Sequence, residues 1–84
     1  MNYIGKRIYF NKEDGSIILD TGERCGAVVP TTVEEDLAFY DVLQNVERES
    51  LNYIELSYGE HQEEFATCTH YEIDVEANEL IFHF

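Results

Sequence analysis

Two stretches of this chain share one pattern, and the pattern is that of a β-hairpin. Tyr9-Phe10-Asn11-Lys12-Glu13-Asp14-Gly15-Ser16-Ile17-Ile18 aligns without a gap on Glu72-Ile73-Asp74-Val75-Glu76-Ala77-Asn78-Glu79-Leu80-Ile81. Both runs read apolar, Asn or Asp, variable, Glu, variable, Gly or Asn, polar, then two apolar residues. Gly15 and Asn78 share a slot, and Gly and Asn tolerate positive φ best. A four-residue loop built on a type I turn closes on such a residue. The loops are therefore Lys12 to Gly15 and Val75 to Asn78. Asn11 and Asp74 precede them, where a short polar side chain accepts from the turn's backbone N–H groups. This register sets Asn11 opposite Ser16, Tyr9 opposite Ile18 and Arg7 opposite Asp20. In the second hairpin it sets Asp74 opposite Glu79, Tyr71 opposite Phe82 and His70 opposite His83. Chance is favoured over internal duplication for a pattern this short, and the hairpins do not depend on which it is.

Between the hairpins lies a helix signal. Thr32 followed by Glu35 reads as a capping box. Glu34, Glu35 and Asp36 fall in the first turn, where the helix dipole favours acids. The spacing predicts one helix from Val33 to about Val46 or Arg48. Val33, Leu37 and Tyr40 form one apolar row; Phe39, Val42, Leu43 and Val46 form a second. Glu34, Ala38, Asp41 and Asn45 are left for solvent. Asn52 to Tyr58 alternates as a strand with Ile54, Leu56 and Tyr58 on one face, ended by Gly59. Ala27-Val28-Val29 reads as a short strand that Pro30 ends, after a turn region at Thr21 to Gly26. Glu60 to Thr67 fits a short helix carrying Phe65 or an extended lead-in, the helix being preferred. The final hairpin runs from about Thr69 to Phe84, with Tyr71, Ile73, Leu80, Phe82 and Phe84 inward. The fold class is α+β: N- and C-terminal hairpins plus a central strand form a sheet packed by one main helix, in a single domain over 1–84.

The 84 residues carry a net charge of −13, and its layout narrows the partners. Residues 1–24 sum to zero, so the whole excess lies in residues 25–84, where Arg48 is the single base. Direct contact with nucleic acid phosphates is disfavoured, as is an anionic membrane surface. A basic protein partner, or mimicry of a polyanion, is allowed. So small a domain also gains from oligomerisation. The N-terminus shows no secretory pattern, which points to a reducing interior. Cys25 and Cys68 are then expected as free thiols and small core residues, with a Cys25–Cys68 disulfide as the minor alternative.

Patterns that carry chemistry fail on spacing. An EF-hand with Gly15 as its loop glycine would put Phe10 and Lys12 at ligand positions. The five glycines are scattered and build no phosphate loop. Cys68, His70 and Glu72 alternate, with His83 opposite His70, but this matches no structural zinc spacing. Neither cysteine has the surroundings of an activated nucleophile. No catalytic, cofactor-binding or metal residue is assigned, no cofactor is implied, and an enzyme is not expected.

Gly5-Lys6-Arg7-Ile8-Tyr9-Phe10, Asp20-Thr21-Gly22-Glu23, Thr32-Val33-Glu34-Glu35-Asp36 and Leu56-Ser57-Tyr58-Gly59 before a Phe carry a resemblance. The chain resembles small uncharacterised proteins encoded in the tail region of phages and prophages of Gram-positive bacteria. The likeness covers nearly the whole chain and rests on turns and caps, with Asn78 where Gly is expected. It implies a non-enzymatic accessory or tail-associated protein, located in the host cytoplasm or the virion. Its partner would be a phage structural protein or a host protein. The alternative is an acidic inhibitor of a host nucleic-acid enzyme that works by DNA mimicry.

Overall fold

The structure, a computed structural model, describes residues 2–27 and 29–84. Among these residues it is an α+β fold of seven short strands and three short helices. The strands are β1 (Asn2–Ile4), β2 (Arg7–Asn11), β3 (Ile17–Asp20), β4 (Arg24–Gly26), β5 (Leu51–Glu55), β6 (His70–Asp74) and β7 (Glu79–His83). The helices are α1 (Val33–Phe39), α2 (Asp41–Gln44) and α3 (Gln62–Thr67). A 3-10 turn, Arg48–Ser50, leads into β5.

Both hairpins form, and their turns are built as the side chains dictate. Gly15 sits at φ 78° and Asn78 at φ 56°. The Gly15 and Asn78 N–H groups donate to the carbonyls of Asn11 and Asp74. The Asn11 side chain accepts from Glu13 N–H, and that of Asp74 from Glu76 and Ala77 N–H. In the second hairpin the pairs Asp74–Glu79, Tyr71–Phe82 and His70–His83 are as expected. The first hairpin differs. Phe10 faces Ile17 but Tyr9 faces Leu19, so the ladder shifts between Tyr9 and Phe10 and Ile8 meets Asp20. Such a bulge places two residues against one and displaces every later pair by one.

The strands form three separate ladders rather than one sheet. β3-β2-β5 is antiparallel and central; β1 pairs β4, and β6 pairs β7. β2 is buried on both faces, with Ile8, Tyr9 and Phe10 each at 1% exposure or less. Tyr9 packs with Leu43 and Leu51, and Val33, Leu37, Tyr40 and Val46 close round them. Ile8 and Phe10 alternate with Tyr9 and so lie on the opposite face.

The single long helix is two. Tyr40 leaves helical geometry at ψ 115° and serves at once as the end of α1 and the start of α2. The phase of the apolar residues explains the break. From Leu37 onward they recur mostly every three residues, and each such step falls about 60° short of a full turn. A continuous helix would rotate Leu43 and Val46 away from the sheet. The break resets the phase, and Leu43 reaches the core at 1% exposure. Phe39 and Val42, placed in the second apolar row, are solvent-facing instead. The capping box on α1 forms in both directions between Thr32 and Glu35.

Smaller differences follow from local pairing. The short strand lies at Arg24–Gly26, ahead of the expected Ala27-Val28-Val29, of which Val28 lies outside the described residues. It is fixed there by β1, which sequence alternation does not announce. β5 starts at Leu51 and stops at Glu55, short of Tyr58. Phe65 rides on α3, as preferred. Phe84, expected inward, is exposed, because the β6–β7 ladder ends at His83.

Going round the strands, β5 pairs β2 and β2 pairs β3. β3 then meets β6: the Ile73 N–H donates to the Gly15 carbonyl at 3.0 Å, and the Tyr71 hydroxyl donates to Asp20 at 2.8 Å. Thus the turn of the first hairpin is stitched to the second hairpin. Gly15 is needed there twice, since a Cβ would lie 1.9 Å from the Ile73 carbonyl oxygen. β6 pairs β7, and β7 faces β5 across an open groove.

Candidate functional site

Between β5 and β7 lies a groove of about 770 Å³. One wall is four consecutive residues, Tyr53 to Leu56, and the other is Asn78, Glu79 and Leu80, with Glu60 and His61 at one end. Consecutive residues line a groove when a strand presents its edge, since a strand's face would show alternate residues.

Hydrogen-bond parity gives the direction of each edge. Leu56 N–H donates to the Lys6 carbonyl, and Ser50 C=O accepts from Lys12 N–H. Even-numbered residues of β5 therefore point their backbone groups at β2, and Tyr53 and Glu55 point theirs away. Tyr53 N–H is taken up by the Asn52 side chain at 2.8 Å, leaving the Tyr53 carbonyl and both backbone groups of Glu55 on the open edge. On the other wall, Ile73 N–H points at Gly15, so residues 70, 72 and 74 are the ones bonded to β7. Leu80 then turns its N–H and C=O away from β6. Two unpaired strand edges thus border the groove. Its ionised rim is acidic: Glu55, Glu60 and Glu79 line it, with no Lys or Arg among the lining residues. Arg7 reaches the Glu55 carboxylate at 2.9 Å from behind the strand, yet that carboxylate stays more than half exposed.

A buried carboxylate anchors the Tyr9 face of the central sheet. Asp36, at 2% exposure, accepts from Arg7 Nη1 and the Tyr9 hydroxyl at 2.7 Å each, and from the Thr31 hydroxyl at 2.8 Å. Burial alone would raise its pKa; the hydrogen bonds from Tyr9, Arg7 and Thr31 outweigh it and hold the pKa below the usual aspartate value. Burial, then the bond to Asp36, pushes the Tyr9 phenol upward. Arg7 also donates to the Thr31 carbonyl, so one guanidinium ties β2, β5 and the start of α1 together. The sequence shows Asp36 as one of three first-turn acids. Position i+3 from Val33, between Glu35 and Leu37, is the only hint that it turns inward.

Beside this network, Arg24 lines two clefts that share Thr31 and Asp36. Its Nε is buried without a hydrogen-bond partner. The more apolar cleft, about 510 Å³, runs along Ala38, Phe39 and Tyr40, with Phe39 76% exposed.

Of the set Cys68, His70, Glu72 and His83, the last three come together and Cys68 does not. His70 and His83 stack with ring centres 4.3 Å apart, and His83 Nε2 meets Glu72 at 3.0 Å. Cys68 stands outside β6 as the cap of α3, its thiol toward the Phe65 carbonyl. Among the described residues no group of three or more His, Cys, Asp or Glu is arranged to hold a metal ion. Both cysteines are free, and Cys25 is exposed rather than a small core residue. No helix among the described residues is long and apolar enough to cross a membrane.

Comparison with protein families, with curated proteins and with solved structures gave no match.

Proposed function

We propose that this chain is a non-enzymatic module that works through protein–protein contacts. Its setting is the one the sequence resemblance implies, an accessory or tail-associated protein of a phage or prophage. The observation that supports the reading is the groove between β5 and β7. It is open, it is walled by strand edges, and its charged rim has one sign. Exposed edges are what proteins normally cover, blunt or use for pairing with another chain. Phe39 and Tyr3, both largely exposed, add apolar contact surface elsewhere on the molecule.

The test is a pull-down with the tagged chain from phage-infected cells, beside mass spectrometry of purified virions. Recovery of one phage-encoded protein, lost when salt is raised, is the expected result. A chain that turns over a substrate at enzymatic rate and captures no protein would overturn it.

The net charge of −13 supports a second reading, inhibition of a host nucleic-acid enzyme by DNA mimicry. Asp36 weighs against it, because this carboxylate of the α1 row is bonded inside the fold. Competition with DNA for a host enzyme, abolished by charge reversal at Glu34 and Glu35, would favour the mimic over the contact module.

A further inference from the structure

We propose that the groove between β5 and β7 takes up an extended, lysine- or arginine-bearing segment of the partner protein as an added β-strand. This rests on the contact-module reading and specifies its mode and chemistry. The backbone supplies the first argument. The Tyr53 carbonyl and the Glu55 N–H and carbonyl point into the open side of β5, and the Leu80 N–H and carbonyl leave β7 away from β6. A peptide lying between them finds backbone donors and acceptors on either hand, the requirement for strand addition.

Continuity supplies the second. The order β5-β2-β3, then the Gly15–Ile73 stitch, then β6-β7, runs round the molecule and leaves this seam unpaired. A strand in the seam would pair β5 and β7 and remove both exposed edges at once.

Charge chooses the occupant. Glu55, Glu60 and Glu79 border the seam, and no lysine or arginine lines it. An acidic segment would be repelled by Glu60 and Glu79, while Glu55 shares its charge with Arg7; a basic one meets a carboxylate on each wall. Tyr53, Ile54, Leu56 and Leu80 supply apolar surface for the alternate side chains of such a strand.

The experiment uses the full chain, isotope-labelled for NMR, and three capped peptides of about six residues, the usual strand length. One alternates lysine and valine, one alternates glutamate and valine, and the third is the lysine peptide N-methylated on alternate residues. The lysine peptide should shift amides confined to residues 53–56 and 78–80 and slow exchange at Glu55 and Leu80. The other two should bind at least about tenfold more weakly. The double variant Glu60→Lys, Glu79→Lys should weaken the lysine peptide by about tenfold, with an unchanged spectrum for the Tyr9 core as proof of folding. No saturable binding of the lysine peptide, equal binding of its N-methylated form, or shifts centred elsewhere would overturn strand addition. The same double variant separates the two claims. If it still captures its partner undiminished from lysate, the contact-module reading stands and this groove is not the contact.

Discussion

At single residues, backbone space and buried charge decide what the side chain types alone leave open. Gly15 and Gly22 have nearly the same positive φ, 78° and 74°. A Cβ on Gly22 would meet nothing, whereas one on Gly15 would strike the Ile73 carbonyl oxygen. Gly22→Ala should therefore cost about 1 kcal/mol, the left-handed penalty alone. Gly15→Ala should cost about 3 kcal/mol or more, because the stitch between the hairpins must also open. Urea denaturation of the pair measures the difference directly. Asp36 is the second such residue. Asp36→Asn leaves the Arg7 guanidinium without its buried counter-ion and should cost about 3–5 kcal/mol. The pH dependence carries a definite sign. The Asp36 pKa is depressed on folding, so its stabilisation is present above the unfolded value of about 3.9 and is lost as pH falls through the lower folded value. Denaturation midpoints measured from neutral pH downward should lose this acid-side contribution in Asp36→Asn. A parallel decline in both proteins would assign the acid sensitivity to other carboxylates.

Among elements, the break at Tyr40 sets which helix positions matter. Leu43 is buried and clustered with Tyr9 and Leu51, so Leu43→Ala should cost about 3 kcal/mol. Leu37 is half-buried and packs at the edge of that cluster, so Leu37→Ala should cost less, about 1–2 kcal/mol. Phe39→Ala and Asp41→Ala remove exposed side chains and should each stay within about 0.5 kcal/mol. A large loss at Phe39 would mean that α1 and α2 are one continuous helix in solution. The hairpins invite a similar comparison. Their turns were legible because a left-handed slot admits few residues and leaves a mark in the sequence. The bulge in the first hairpin was not, since Ile17, Ile18 and Leu19 are alike in character and any register buries something apolar. The groove was legible only in part. Its acidic rim follows from composition, but unpaired edges on β5 and β7 depend on which strands find neighbours.

At the scale of the whole molecule, charge acts as a field. With −13 spread over residues 25–84, the folded chain repels itself, and the repulsion is screened by salt. The thermal midpoint should therefore rise as salt goes from low to about 0.15 M, where the screening length is about 8 Å. The buried Arg7–Asp36 pair is screened far less and should not offset that gain. A midpoint that falls with salt would show that attractive surface pairs such as Lys6–Asp20 outweigh the net repulsion.

The sequence by itself determined the α+β class, the two hairpins with their left-handed turn residues, the capping box at Thr32 and the acidic character of the surface. Each of these is local: a turn needs a particular φ, a cap needs an oxygen three residues from an N–H, and charge is a sum over residues. Only the tertiary structure decided that Asp36 is internal while Glu34 and Glu35 are not. Arg7 and Tyr9 come from a distant strand to join Thr31 just ahead of the helix, and a carboxylate is buried only where such donors converge. It likewise decided that Gly15 joins the hairpins, that the helix breaks so that Leu43 can reach Tyr9, and that β5 and β7 face each other unpaired. These are contacts between residues far apart in sequence, set by packing three ladders around one buried strand, and no local pattern encodes which edge is left over.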